Sequence, residues 1–157
     1  EALEDIQKLS QEALAEMRAM IFQLRPIPKD HMLSREIVAY GKSLGVQVSI
    51  SSRGEAFIPE AYRENLWRIL QEAMNNISKH AKVTDAIVKM TANDQQISLQ
   101  VIDQGVGFSI DNRNGDKKTF GLSSMRERVE EMGGTLTIDS GNNRGTTVSV
   151  TIPLGRR

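Results

Sequence analysis

The chain reads as an α/β protein: a two-layer sandwich in which a mixed sheet carries helices on one face, preceded by a helical stub. Three observations predict this. Apolar residues recur at helical spacing from Tyr62 to Ala81. Downstream, four short stretches rich in Val, Ile and Thr have the length and composition of strands. The elements then follow as helix, helix, strand, long helix, two strands, helix, two strands, an order that does not suit repeated βαβ winding.

At 157 residues the chain holds one domain with a proper core plus an appended helix. Hydrophobic and charged contents of 39% and 25% are those of a globular domain. Twenty acidic and twenty basic side chains cancel, so no global field favours nucleic acid or an anionic membrane. The absence of cysteine excludes disulfides, thiolate nucleophiles and Cys-based metal sites. No apolar run approaches the ~20 residues that span a bilayer. The chain opens on Glu1 within a helical pattern and is read as a piece of a longer protein, with any anchor or sensor outside it.

Residues 1 to about 24 form one helix, with Leu3, Ile6, Ala13, Met17, Met20 and Leu24 on a stripe that Leu14 and Ile21 widen. The spacing suits a bundle seam, and equally a helix packed on its own domain. Arg25-Pro26-Ile27-Pro28 ends it and marks the one domain boundary, dividing 1–25 from 26–157. Met32 to Leu44 is a second helix stopped by Gly45. Val46 to Ile50 alternates strictly and predicts a strand with one buried face, with a turn over Ser51 to Glu55.

Pro59 to Ala81 is the long helix, Pro59 at its first position and Leu66, Ile69, Leu70, Ala73, Met74 and Ile77 within its stripe. Strands follow at Asp85–Thr91 and Gln96–Asp103. Ser109 to Thr119 is polar and aperiodic, a mobile loop. Gly121 to Met132 is a short helix ended by Gly133-Gly134, and strands at Thr135–Asp139 and Thr146–Ile152 flank a turn over 140–145.

Candidate chemistry centres on Val101-Ile102-Asp103-Gln104-Gly105-Val106-Gly107-Phe108. A buried strand here delivers one carboxylate to a pocket mouth, and two glycines bend the chain where a ligand must come close. An aspartate before a glycine turn is also a common way to end a strand. On the long helix, Glu72, Asn75, Asn76, Lys79 and His80 share the side opposite the apolar stripe. A solvated polar face would look similar, yet adjacent mid-helix asparagines each cost up to ~0.7 kcal/mol against alanine. Glu and Asn oxygens one turn apart suit Mg²⁺, and Lys79 suits phosphate. Gly121-Leu122 opens a helix whose free N–H groups favour phosphate, after a loop containing Lys117 and Lys118.

These segments together resemble a known family. Glu72-Ala-Met-Asn-Asn76-Ile-Ser-Lys79-His80 looks like the N box of the ATP-binding domain of sensor histidine kinases, and Asp103-Gln-Gly105-Val-Gly107 like the first glycine box. Gly121-Leu-Ser-Ser-Met-Arg126-Glu-Arg128 resembles the G-L-x-x-M-R-E-R segment of the NarX/DesK/LiaS type. Gly145-Thr146 resembles the last motif of the gyrase–Hsp90–histidine kinase–MutL superfamily. The resemblance implies the Bergerat α/β sandwich and Mg²⁺·ATP as ligand. Asn76 would bind Mg²⁺, and Glu72 would order or activate a water of the metal. Lys79 and His80 would face phosphates or ribose, with Glu72 and Lys79 carrying the catalysis. Asp103 would bind the adenine amine, supported by Thr146, while Gly105 and Gly107 let the backbone close on the base. Asn75, Phe108 and Leu122 join the ATP-binding set, residues 108 to 120 form a lid, and Gly121 lies near the β- and γ-phosphates.

Two departures stand out. Thr119-Phe120-Gly121 keeps only the last residue of the second glycine box. The family's phosphoacceptor histidine is also absent, since His31 lies in the linker and His80 in the ATP site. Residues 1–25 then resemble the second helix of the dimerisation hairpin, kept without its partner helix. The resemblance further implies a homodimer in the full-length protein, a response regulator as partner, and a cytoplasmic domain of a membrane-anchored parent. A serine kinase of the anti-sigma-factor type and a non-catalytic nucleotide-sensing scaffold are the alternatives.

Overall fold

A computed structural model describes residues 1–24, 32–107 and 117–155, with the side chains of 15, 19, 22–24 and 117–120 excepted. The linker prolines, His31, Phe108 and most of the expected lid lie outside the described residues. In chain order the elements are α1 (Ala2–Leu24), α2 (Leu33–Ser43), β1 (Gln47–Arg53), α3 (Glu60–Asn76), β2 (Asp85–Ala92), β3 (Gln96–Asp103), α4 (Lys117–Glu131), β4 (Thr135–Ser140) and β5 (Thr146–Pro153). A 3₁₀ turn, Glu55–Phe57, links β1 to α3, and a π turn, Ile77–Ala81, continues α3.

The five strands form one sheet in the order β1-β2-β3-β5-β4. β1 and β2 are parallel, and the remaining pairs are antiparallel. A parallel pair needs a crossover, and α3 supplies it. Alternation in β2 and β3 turns Ala86, Val88, Met90, Ile97, Leu99 and Val101 to one face. Val148, Val150 and Ile152 of β5 join the same core. Leu33, Ile37 and Tyr40 of α2, Leu66 to Met74 of α3, and Met125 and Val129 of α4 complete it. This is the expected mixed sheet with helices on one face.

Local chemistry sets the ends. Val46 N–H bonds Gly41 C=O at 2.8 Å and Gly45 N–H bonds Lys42 C=O at 3.1 Å, closing α2 with a Schellman motif. The same pair of bonds, Gly134 to Val129 and Gly133 to Glu130, both 2.9 Å, closes α4. Pro59 stands one place before α3, extended at ψ 140°, rather than as its first helical residue. Lys82 in the left-handed region, φ 60°, stops the π turn.

Two further expectations change. β1 was expected to bury one face over Val46 to Ile50 and then turn. Instead the strand runs to Arg53, pairing Ser51 to Arg53 with Lys89 to Thr91, and is largely exposed. It is an edge strand with a neighbour on one side only; Val46, just before it, is buried and Val48 half-buried. α4 begins at Lys117, four residues before Gly121. The apolar stripe of α1 is uncovered: Leu3, Ile6, Leu14, Met17, Met20 and Ile21 are each at least 50% exposed, so the helix does not bury that stripe on this chain.

Candidate functional site

One cavity, with about 530 Å³ of space between atoms that is partly open to solvent, lies between α3 and the sheet. Ala73, Asn76, Ile77, His80 and Ala81 line it from α3 and the π turn; Val101 and Asp103 from β3; Gly107 from the loop beyond. Leu122 of α4 and Thr146 and Val148 of β5 complete it. Its walls are largely aliphatic, suited to a flat ring, and its polar groups are few and specific.

Asp103 ends β3 and is 7% exposed. Its carboxylate accepts the Gly105 N–H at 2.8 Å, an Asx turn, and a second backbone N–H from Thr146. Burial raises its pKa above the ordinary carboxylate value, and those two bonds pull it partly back. Thr146 sits opposite Asp103 in the β3–β5 register, so the two side chains share a face.

The glycines have different tasks. A Cβ at Gly105 would overlap the Ala81 carbonyl oxygen, and the next residue, Val106, donates its N–H to that carbonyl at 3.0 Å. Gly105 therefore lets the π turn that continues α3 meet the end of β3. Gly107 lines the cavity with φ +70°, and a Cβ there would overlap the Gly141 carbonyl oxygen of the β4–β5 hairpin. Asn143 N–H, from the hairpin tip, bonds the Val106 carbonyl at 2.7 Å. The tip thus holds the glycine segment from outside.

On α3, Asn76 and His80 line the cavity, whereas Asn75 turns toward α2 and accepts the Tyr40 hydroxyl at 2.8 Å. The polar face therefore divides. Tyr40 is buried, edge-on to Trp67 with ring centroids 5.9 Å apart. Burial pushes its pKa up, so it stays a proton donor. Tyr40→Phe would strip that donor from a part-buried amide and is expected to lower stability by about 1 kcal/mol, or about 3 °C in a thermal melt. An unchanged melt would remove this link between α2 and the polar helix.

Glu72 is half-buried, with its carboxyl against Gly121, where a Cβ would overlap it. Burial raises its pKa and nearby exposed Lys79 partly lowers it. Gly121 is thus an interior helical residue rather than the residue that opens the helix, and a Cβ there would displace the tip of the Glu72 side chain. The expected N–H groups of a helix start at 121 are displaced to Lys117. Phe108 lies outside the described residues.

Of the predicted residues, Asn76, His80, Asp103, Gly107, Leu122 and Thr146 converge on the cavity. Glu72, Asn75, Lys79, Gly105 and Gly121 are not among its lining residues. The sequence reading missed Tyr40 and the hairpin tip. The Gly141-to-Gly145 spacing is the available signal for the tip, but by itself it indicates only a turn.

This fold and site define a nucleotide-binding ATPase module: the chain belongs to the histidine kinase-, DNA gyrase B- and HSP90-like ATPase family, which matches residues 61–156. More narrowly, its relatives are sensor kinases. It is 38% identical over 152 residues to sensor histidine kinase YhcY of Bacillus subtilis strain 168, covering 97% of this chain and 40% of that protein. It is 33% identical to sensor protein VraS of Staphylococcus saprophyticus, covering 96% of this chain and 44% of that protein. With LiaS of B. subtilis it shares 30% identity, covering 95% and 42% respectively. The chain thus spans about two-fifths of these relatives' length. Among solved structures, the histidine kinase domain of the blue-light activated kinase of Erythrobacter litoralis superposes with TM-score 0.58 at 18% identity, covering 90% of this chain and 70% of that one. The mycobacterial sensor histidine kinase MprB superposes at 0.55 and 16%, covering 76% and 93%. These likenesses show the shared fold.

Proposed function

We propose that this domain binds Mg²⁺·ATP in the cavity and delivers the γ-phosphoryl group to a histidine of the same protein that lies outside this chain. The observation that carries the reading is the convergence of Asn76, from a helix, and Asp103, from a strand, on one largely apolar cavity. Asp103 and Thr146 sit where they can accept protons from a base, between aliphatic walls that suit a purine ring.

The donor set fits Mg²⁺. Among the described residues there is no cluster of three or more His, Cys, Asp or Glu side chains. Asn76 can offer an amide oxygen, with the Glu72 carboxylate one turn earlier. Such a sparse set suits an ion that keeps several waters and takes its remaining ligands from phosphates. When bound, the ion would neutralise phosphate charge. Phosphoryl transfer through a loose transition state needs mainly alignment and charge compensation. Lys79, exposed beside Glu72, is placed to add positive charge there.

Residues 1–25 act as the second helix of a dimerisation and phosphotransfer hairpin, and 26–157 as the catalytic domain. The exposed stripe of α1 supports this division. In the whole protein the hairpin supplies the histidine and the homodimer contact, and a response regulator receives the phosphoryl group. The domain acts on the cytoplasmic side of a membrane-anchored parent; no helix among the described residues is long and apolar enough to cross a membrane.

The test supplies a histidine-bearing hairpin together with labelled ATP. Acid-labile phosphate on the hairpin supports the reading. Acid-stable phosphate on serine, or binding without transfer, replaces it with the alternative kinase or scaffold. Asn76→Ala should weaken Mg²⁺-dependent ATP binding about tenfold while sparing Mg²⁺-free binding. Titrations with and without the metal check this, and equal losses in both would remove Asn76 from the metal.

A further inference from the structure

The Arg126-Glu127-Arg128 part of α4 is not among the residues that line the cavity, yet half-buried Arg128 reaches across to α3. Its guanidinium donates to the Asn65 side-chain carbonyl at 3.0 Å, and the Asn65 amide nitrogen donates to the Glu131 carboxylate at 3.2 Å. One side chain of α3 thus bridges a cation and an anion that stand three positions apart on α4. An amide offers an acceptor and a donor side by side, so its orientation here is fixed. Turned over, it would set its NH₂ against Arg128 and its oxygen against Glu131.

A second contact between the two helices lies seven positions along each. Glu72 follows Asn65 by seven on α3, Gly121 precedes Arg128 by seven on α4, and the Glu72 carboxyl lies against Gly121. Contacts that rise in number on one helix and fall on the other make the pair antiparallel, and seven positions are about 10 Å of helix. The Asn65 bridge therefore sits at one end of the shared seam and the cavity at the other, where Leu122 enters the wall. Between them Met125 and Val129 of α4 are buried in the core. Apolar contact is non-directional and does not by itself fix how far one helix has slid or turned on another.

We propose that Asn65 is a positioning residue: by bridging Arg128 and Glu131 it fixes how α4 lies along α3, and so holds Gly121 against Glu72 and Leu122 in the cavity wall. The inference rests on the Mg²⁺·ATP reading and deepens it. Asn65 itself touches no ligand. It acts on the metal side, because Glu72 is the carboxylate one turn before Asn76.

The experiment compares ATP binding with and without Mg²⁺ in wild type, in Asn65→Leu, in Asn65→Asp, and in Asn65→Asp combined with Glu131→Gln. Wild type should bind ATP more tightly with Mg²⁺. Asn65→Leu, similar in size, loses both bonds and should cut that gain about fivefold. Asn65→Asp keeps an acceptor for Arg128 but faces Glu131 with a like charge, and should show part of the loss. Adding Glu131→Gln supplies a donor in place of the like charge and should restore the gain. In the ligand-free chain, amide exchange over 121–125 should quicken in Asn65→Leu and return to wild type in the double variant. Arg128→Met removes the bond from the α4 side, should reproduce the loss, and keeps the test open if Asn65→Leu does not fold. A merely structural role would weaken ATP equally with and without Mg²⁺; that result, or an unchanged gain in both variants, overturns the proposal. If wild type binds no ATP, or binds it equally without Mg²⁺, the Mg²⁺·ATP reading itself falls, and the inference with it.

Discussion

Gly107→Ala is expected to lower the unfolding free energy by about 3 kcal/mol and to weaken ATP binding to the remaining folded protein. At φ +70° an L side chain carries a backbone penalty of about 1–2 kcal/mol before any contact is counted. The added Cβ would also overlap the Gly141 carbonyl oxygen, with the Gly145 carbonyl oxygen at 3.1 Å. Both obstacles are backbone atoms and cannot swing aside. To make room the hairpin tip must retreat, giving up the 2.7 Å bond from Asn143 to Val106. Chemical denaturation should show the midpoint fall with an unchanged slope, because the same surface is still exposed on unfolding. A midpoint equal to wild type would mean that the tip does not press on the glycine segment.

Asp103→Asn should act in opposite directions on binding and on stability. Loss of a charged acceptor for the base is worth about 1.5–3 kcal/mol, so ATP affinity should fall about 15- to 150-fold. Without nucleotide the variant should be the more stable protein, because burial penalises the charged carboxylate. The pH dependence follows. Burial raises the folded pKa above the unfolded value near 4, so the folded chain binds more protons than the unfolded one between the two values. That stabilisation is complete below about pH 4 and is lost as pH rises through the raised folded value. Glu72 contributes a loss of the same sign, for the same dominant reason. Melting temperature measured against pH without nucleotide should therefore decline across this window, and less steeply in Asp103→Asn. A steeper decline in the variant would show that burial is not what governs Asp103.

Much of the fold was legible because the signals are local. The stripe of α3 and the alternation of β2 depend on periods of 3.6 and 2, and both elements formed within a residue of their expected limits, apart from the π winding at 77–81. β1 misled because alternation does not tell an edge strand from an interior one; that depends on sheet order, which residues 47–53 cannot encode. Gly121 misled because a lone glycine near a loop looks like a boundary. It lies instead inside α4, against the carboxyl of Glu72, 49 positions earlier. The cavity-lining Asp103, Asn76 and Thr146 could be read from short motifs. Tyr40 could not: it reaches Asn75 from 35 residues away, and its ring gives it every appearance of core. The second task of Asn143 was equally hidden, since only the folded sheet sets the hairpin against the glycine segment.

The π turn at Ile77–Ala81 has a consequence for insertions and deletions. Such a turn holds one residue more than an α-helical turn of similar rise, so the helix here contains a surplus residue. Deleting one position from 77 to 80 would let the turn relax to α-helical winding, and the residues beyond it would keep nearly their present phase. Ala81 would then still present its oxygen to Val106, whereas one residue more would swing that end of the helix by about 100°. The chain here carries slack in one direction only, and the interval should tolerate the loss of a residue better than a gain.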